Sequence, residues 1–405
     1  MLETDTTRIA GTPQVLQSLR DAFAAAYPGR TPDVVARAPG RVNLLGGHVD
    51  IHDGLVLNIA IDRDIWLAAS RGEAERVQLR ATNLDGATIA FSLVALDARR
   101  TLDGGDLPRW AQYAAGVAWA LRQRGLAVGG IDGVVQGSVA MRAGLSSSAA
   151  VEIAYGTAWQ ALGGWTLDPQ DLVRVGQTAE REYMGLGTGI QDQFTCVYAR
   201  AHHALTLDCR TLEHAYSAFT GHAKVVICDT ATRRELVGSS YNTRARDAHA
   251  AAAILREIDP AIETLRDATM QHLNDVRARL TPDQFRRARH VITEIARVPE
   301  GAAALDAGDS AGLGALMNDS YWSARDDYGS SSPALDAMWQ AATAHPRCYG
   351  ARYSGGGEAG AIVALVDEDA VDDFIARTAQ IYAGASHRDG SLFAAEAAQG
   401  ASVLD

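Results

Sequence analysis

At residues 138–150 the chain reads SVAMRAGLSSSAA, a turn of small residues followed by three serines that open a helix. Backbone N–H groups at a helix start point outward with partial positive charge, so this segment is a ready seat for a phosphate. The hydroxyls of Ser146, Ser147 and Ser148 are also hard oxygen donors of the kind Mg²⁺ takes. An ordinary serine N-cap would have the same composition. The segment is not a Walker A loop, because the G-K-[ST] ending is absent.

Upstream, β-rich runs occupy residues 34–93, with turn signals between them, and predict an antiparallel sheet. Trp110, Tyr113, Val117, Ala120 and Leu121 recur at helical spacing, and Gly125 stands where a C-terminal cap belongs. A further helix starts after Asp168, with Pro169 at its first position. Near residue 205 the character resets: the strand-like runs HALTLDC and KVVICDT lead into an alanine- and arginine-rich helical stretch over about 244–344. The glycine turn ARYSGGGEAG and the buried-strand pattern AIVALV follow. The expectation is two α+β halves joined near residues 200–220, divided as 1–210 and 211–405.

Three other segments carry chemistry. Residues 36–54, ARAPGRVNLLGGHVDIHDG, pack Arg41, Asn43, His48, Asp50, His52 and Asp53 among small residues, as a loop shaped around a small polar ligand would. Singly, each is equally at home in a solvated loop, and the adjacent His202 and His203 read as structural. In EREYMGLGTGIQDQF, Glu180 and Asp192 lie twelve residues apart across three glycines. A helix end, a tight turn and a new helix can bring two carboxylates into one pocket, one for a cation and one for a proton. Two surface carboxylates flanking a turn is the plainer alternative. Gly355 to Gly357 allow close backbone approach to a ligand, or make a simple tight turn.

Composition sets the outer bounds. The 405 residues suffice for two or three domains, and 49 acidic against 37 basic side chains give a net charge of −12, against nucleic acid or anionic lipid as main partner. The four cysteines are widely spaced without a C-x-x-C pair and read as reduced thiols. With no signal-peptide pattern and no long apolar run, a cytoplasmic protein is expected.

Together these segments resemble the galactokinase branch of the GHMP small-molecule kinases. APGRVNLLGGHVD resembles the family's first motif, AGLSSSAA its second and YSGGGEAG its third. RWAQYAAGV, GIQDQF and ELVGSSYNTR resemble its adenine-side helix, its G-I-x-D-Q segment and its sugar-side stretch. The resemblance implies an α+β, two-domain GHMP kinase fold: a ribosomal-protein-S5-like N-terminal domain, a ferredoxin-like C-terminal domain and a cleft between them. It implies ATP and Mg²⁺ as cofactors and a sugar as acceptor. By position, Asp192 would be the general base and Arg41 would stabilise the transferring phosphoryl group. Ser147 and Glu180 would hold Mg²⁺, and the backbone of Gly144, Leu145, Ser146, Ser147 and Ser148 would cradle phosphates. Trp110 and Tyr113 would flank the nucleotide base, and His48, Asp50, Gly189 and Tyr241 would contact the sugar. A monomer or weak homo-oligomer is expected.

The chain departs from the family pattern at three points. Gly47 stands where galactokinases carry the glutamate that bonds the C6 hydroxyl. That leaves galactose, or a galactose-configured sugar altered at C6, with L-arabinokinase or galacturonokinase as alternatives and a sugar- and ATP-binding regulator as a further one. Arg142 replaces a glycine of the second motif and is expected to point to solvent. Glu358 replaces an aromatic residue of the third and offers a substitute hydroxyl acceptor.

Overall fold

The structure is a computed structural model that describes residues 12–219, 222–233 and 240–404. The strands in chain order are β1 (Val34–Leu45), β2 (Leu55–Arg71), β3 (Arg76–Ala81), β4 (Ala87–Ser92), β5 (Ile131–Gly137), β6 (His203–Asp208) and β7 (His214–Ala218). They continue with β8 (Ala223–Asp229), β9 (Cys348–Tyr353), β10 (Ala361–Asp367), β11 (Ser391–Ala395) and β12 (Ser402–Leu404). Among the described residues they form one eight-stranded and one four-stranded sheet. The helices are α1 (Thr12–Ala26), α2 (Arg109–Gln123), α3 (Ser147–Gly163), α4 (Pro169–Thr178), α5 (Gln191–Tyr198) and α6 (Tyr241–Ile258). After them come α7 (Met270–Asp275), α8 (Pro282–Asp306), α9 (Ser310–Ser323), α10 (Pro333–Thr343) and α11 (Val371–Ser386).

The first sheet runs β12-β1-β2-β5-β3-β4, with the β6–β7 hairpin added to the start of β2. All its pairings are antiparallel except β3 with β5. Every residue of β1 is buried, so its apolar residues do not alternate with polar ones: a strand covered on both faces has no solvent side to mark. Register shifts between Pro39 and Arg41 and between Asn43 and Leu45 interrupt its pairing with β2. At such irregularities proline is tolerated and a side chain is re-aimed out of the regular alternation. Arg41 and Asn43 sit there.

The second sheet, β11-β8-β10-β9, is antiparallel, and α10 and α11 bury its apolar face around Val226, Ile362, Phe374 and Tyr382. Helices α6 and α8 instead join a cluster with Val49, Val56, Leu205 and Leu207 of the first half. Sheet membership changes between Ala218 and Ala223, a few residues past the 210/211 division read from the sequence, because β7 stays with its hairpin partner β6. Residues 402–404 also return to the first sheet, pairing with Val35 to Arg37. Buried Arg37 fixes that return, donating to the carbonyls of Gly400 (3.1 Å) and Gln399 (3.0 Å) and pairing with Asp64 at 2.8 Å.

Candidate active site

Three loops meet above β1. The carbonyl of Leu145 accepts the Arg41 N–H at 3.1 Å, seating the 142–148 turn on the irregular part of β1. Gly144 is left-handed (φ 79°), and a Cβ there would lie 2.3 Å from the carbonyl oxygen of Ser354; one at Gly360 would lie 2.6 Å from that of Ala143. The serine-rich turn and the glycine turn after β9 thus touch backbone to backbone, a contact that any side chain at these positions would part. Arg142, also left-handed, is exposed on this turn, as expected.

Asp192, in the first turn of α5, is held at both oxygens. Arg41 Nε donates to Oδ1 at 2.8 Å and Ser146 Oγ donates to Oδ2 at 2.6 Å, while Arg41 Nη1 donates to the carbonyl of Gly144 at 2.9 Å. Ser146 can do this because it caps α3 in the left-handed conformation (φ 57°). Asp50 lies close by. Burial and then the neighbouring Asp192 push its carboxyl up to about 6, although a hydrogen bond to Gln191 and the charge of Arg41 oppose the rise. Gly189 backs directly onto it: a Cβ there would lie 2.0 Å from Asp50 Oδ2.

Glu180 sits on a π-helical turn, Ala179–Tyr183, that extends α4, a distortion often found at functional sites. It lies beside a second buried carboxylate, Glu152 of α3. The Gln193 amide bridges the pair, donating to Glu152 Oε2 at 2.9 Å and Glu180 Oε2 at 3.1 Å. Burial raises both carboxyls; Glu180 and Asp192 raise Glu152 further, Asp192 raises Glu180, and hydrogen bonds from Ser148 and Gln193 to Glu180 only partly offset this. Glu152 Oε1 is buried without a hydrogen-bond partner. A pair of carboxylates with neutral donors and an unsatisfied oxygen fits a divalent cation. Among the described residues no three His, Cys, Asp or Glu gather as a metal cage, so such an ion would take its other ligands from phosphate oxygens and water. The hydroxyl on Glu180 is that of Ser148, whereas Ser147, the residue expected from the sequence, opens α3 beside it. Burial and then Glu180 and Glu152 push the Tyr113 phenol up to about 12, so Tyr113 borders this carboxylate pair. Trp110, one turn earlier, packs partly buried on the α2 cluster.

On the other side, buried His48 stacks on Tyr328 at 4.4 Å between ring centroids and lies 6.0 Å from the ring of Tyr241, the first residue of α6. Gly46 and Gly47 N–H donate to Glu294 Oε1 at 2.9 and 3.0 Å, and His290 Nε2 donates to the carbonyl of Gly47 at 3.1 Å. A Cβ at Gly47 would lie 2.2 Å from Arg352 Nη2. Arg352 is itself held by Asn43 Oδ1 at 2.7 Å and Glu294 Oε1 at 3.1 Å. The missing side chain at position 47 therefore leaves no gap, because a buried guanidinium fills it. Burial alone would raise Glu294, yet Arg352, His290 and Arg297 outweigh it and hold the carboxyl down at about 2. Glu358 pairs with Arg244 at 2.7 Å and accepts from Ser240.

The structure thus gathers Arg41, Gly144, Ser146 and Asp192 in one hydrogen-bonded cluster, with Asp50 and Gly189 beside it and Glu180 with Ser148 behind it. His52 faces away, buried against His249 and pushed down to about 3 by that burial. Of ELVGSSYNTR, residues 235–239 lie outside the described residues. The sequence reading did not single out Glu152, Gln193, Glu294 or Arg352. Glu152 was findable, as the lone charge in the apolar run AAVEIAYG.

Three family models match the chain: the galactokinase galactose-binding signature over residues 21–71, the GHMP kinase N-terminal domain over 112–200 and the GHMP kinase C-terminal domain over 302–383. A galactokinase of Roseiflexus sp. is 37% identical over 382 residues, covering 94% of this chain and 95% of the relative. One from Chloroflexus aurantiacus is 38% identical over 369 residues, covering 91% and 92%. Among solved structures, Lactococcus lactis galactokinase complexed with galactose matches with a TM-score of 0.89 at 29% identity, over 96% of this chain and 100% of that one. A mevalonate kinase at 16% identity and a TM-score of 0.61, over 89% and 98%, shares the fold.

Proposed function

The chain belongs to the galactokinase branch of the GHMP kinases, and from that premise we propose that it moves the γ-phosphoryl group of ATP to the anomeric hydroxyl of galactose, or of a galactose-configured sugar altered at C6, giving an α-sugar 1-phosphate. The observation that carries this reading is the Arg41–Asp192–Ser146 cluster where the loops meet. Phosphoryl transfer asks the protein mainly for positioning and charge neutralisation. Asp192, with one oxygen on a guanidinium and the other on a hydroxyl, is fixed in place to take the proton of the attacking sugar oxygen. Arg41 then remains beside the nucleophile and the transferring group, where negative charge is greatest.

The backbone from Gly144 to Ser148 supplies the N–H groups for the phosphates, and Trp110 and Tyr113 border the nucleotide base. Glu180, with the hydroxyl of Ser147 or Ser148, would hold Mg²⁺. When bound, that ion neutralises β- and γ-phosphate oxygens. His48, Asp50, Gly189 and Tyr241 contact sugar hydroxyls, and Gly47 with Arg352 behind it forms the C6 end. Because a guanidinium replaces a carboxylate there, recognition of C6 passes from an acceptor to a donor, which favours a C6 oxygen that accepts and keeps galacturonate beside galactose. A catalytically weak regulator fits less well, since Arg41, Asp192 and Glu180 are all in place. With ATP as co-substrate, the cytoplasm and a monomer or weak homo-oligomer complete the reading; no described helix is long and apolar enough to cross a membrane.

The test is ATP turnover with a panel of galactose, L-arabinose, galacturonate and glucose, with identification of the phosphorylated carbon. Asp192→Asn should lower kcat by about 10³-fold while ATP and sugar binding persist. Phosphorylation at a carbon other than C1, or undiminished turnover in the variant, refutes the assignment.

A further inference from the structure

A groove of about 760 Å³ opens outward from Asp50, Gly189 and Tyr241. Two helix faces wall it. Arg174, Gln177 and Arg181 follow one another at three- and four-residue spacing along α4 and its π-helical extension; Asn242, Arg246 and His249 do the same on α6. Side chains at this spacing share one face, so arginines from both helices look into a common space.

Acidic residues outnumber basic ones in this chain, and many solvent-facing arginines find carboxylates, as Arg100 does with Asp106, Arg124 with Asp171 and Arg279 with Glu257; what sets Arg174, Arg181 and Arg246 apart is that they line one groove together. Arg174 and Arg181 have no hydrogen-bond or ion-pair partner among the described residues, and Arg246 reaches only the Thr243 hydroxyl at 3.5 Å. A fourth, Arg210, closes one end and is already held by Asp267. The carboxylates on the lining are Asp50 and Asp53, and Asp53 lies 3.6 Å from Arg210. Three like charges lining one groove without an ion-pair contact repel one another, and the arrangement becomes favourable when an anion joins them.

We propose that this groove binds a small phosphomonoester through Arg174, Arg181 and Arg246. Its volume is that of a small-molecule site and too little for a macromolecular footprint. A phosphomonoester brings close to two negative charges and three acceptor oxygens, matching planar guanidinium forks better than a single carboxylate does. Because Asp50 and Tyr241 share the lining, the bound phosphate occupies a groove continuous with the sugar-side residues; that link to the sugar rests on the proposed function, whereas the binding itself does not.

Calorimetric titration of the full chain without nucleotide tests this, with inorganic phosphate, glucose 6-phosphate and uncharged glucose as probes. Saturable binding of a phosphate probe, weakened by added salt and reduced about tenfold or more in Arg174→Ser/Arg181→Ser and in Arg246→Ser, is the expected result. If inorganic phosphate binds as well as the ester, phosphate alone is recognised; if the ester binds more tightly, the groove also takes the sugar body. Equal binding by the variants, or no binding of either phosphate probe, overturns the proposal. The variants lie on exposed helix faces and should keep the sugar-kinase turnover of the parent. Absence of turnover in the parent would count against the proposed function while leaving the titration interpretable.

Discussion

Glu294 and Glu180 are both buried glutamates beside the same cleft, yet their surroundings drive them in opposite directions. Glu294 meets two arginines, two glycine N–H groups and a serine hydroxyl, and is held at about 2. Glu180 meets an amide, hydroxyls and another carboxylate, and is raised. The first site is electrostatically complete, so its work is structural: it pins Gly46 and Gly47 and holds Arg352 behind the loop. The second is short of positive charge, the condition in which a binding site for a cation leaves its own carboxylates. Burial is common to both sites; the supply of counter-charge separates the strut from the proposed cation site.

The contrast can be broken most forcefully at Glu294. Glu294→Gln leaves Arg352 and Arg297 without their carboxylate in a buried site and should cost about 3–5 kcal/mol in denaturant unfolding. A loss below about 1 kcal/mol would mean that the cluster is not the brace described. Glu180→Gln should reverse the pattern, lowering kcat about 10²-fold and weakening its Mg²⁺ dependence while leaving stability unchanged or higher.

Acidity gives a finer test with opposite signs. The folded pKa of Glu294 is depressed, so its contribution is present above the ordinary value of 4.5 and is lost as pH falls toward about 2. Glu180 and Glu152 are raised, so their contribution is full below the ordinary glutamate range and is lost as pH climbs through their folded values. Excess Mg²⁺ should therefore raise Tm at neutral pH and lose that effect in acid, in the parent protein and not in Glu180→Gln. The smallest effect is expected for Glu152→Gln: stability unchanged or raised by up to about 1 kcal/mol, because an unpaired buried charge is removed.

Much of this was legible in the chain itself. The serine-rich turn, the glycine turn and the Arg41 to Asp50 loop announce themselves because close backbone contacts, and the phosphate seat proposed for the first of them, demand glycine and serine at fixed places. The helices were legible through spacing and caps; Asp168 accepts from the Gln170 N–H, and Gly125 is left-handed, as their positions imply. Strand β1 was harder, since full burial erases its alternation. Arg352 and Glu294 were beyond reach for another reason. They lie 58 residues apart, and what makes them matter is the absence of a side chain at Gly47, three hundred residues upstream of Arg352. A charge read alone in sequence looks like surface; only the fold supplies its partner.

The return of β12 to β1 orders events during synthesis. The strand that pairs with Val35 to Arg37 of β1, and the carbonyls that receive the Arg37 guanidinium, come from residues 399–404, made only after the whole second sheet. A ribosome-bound chain lacking them would carry an open strand edge and a desolvated cation with Asp64 as its remaining acceptor. The amino-terminal half is thus expected to wait, chaperone-accessible, until residues 399–404 have been made, and substitutions within that segment to disturb a region far from them in sequence.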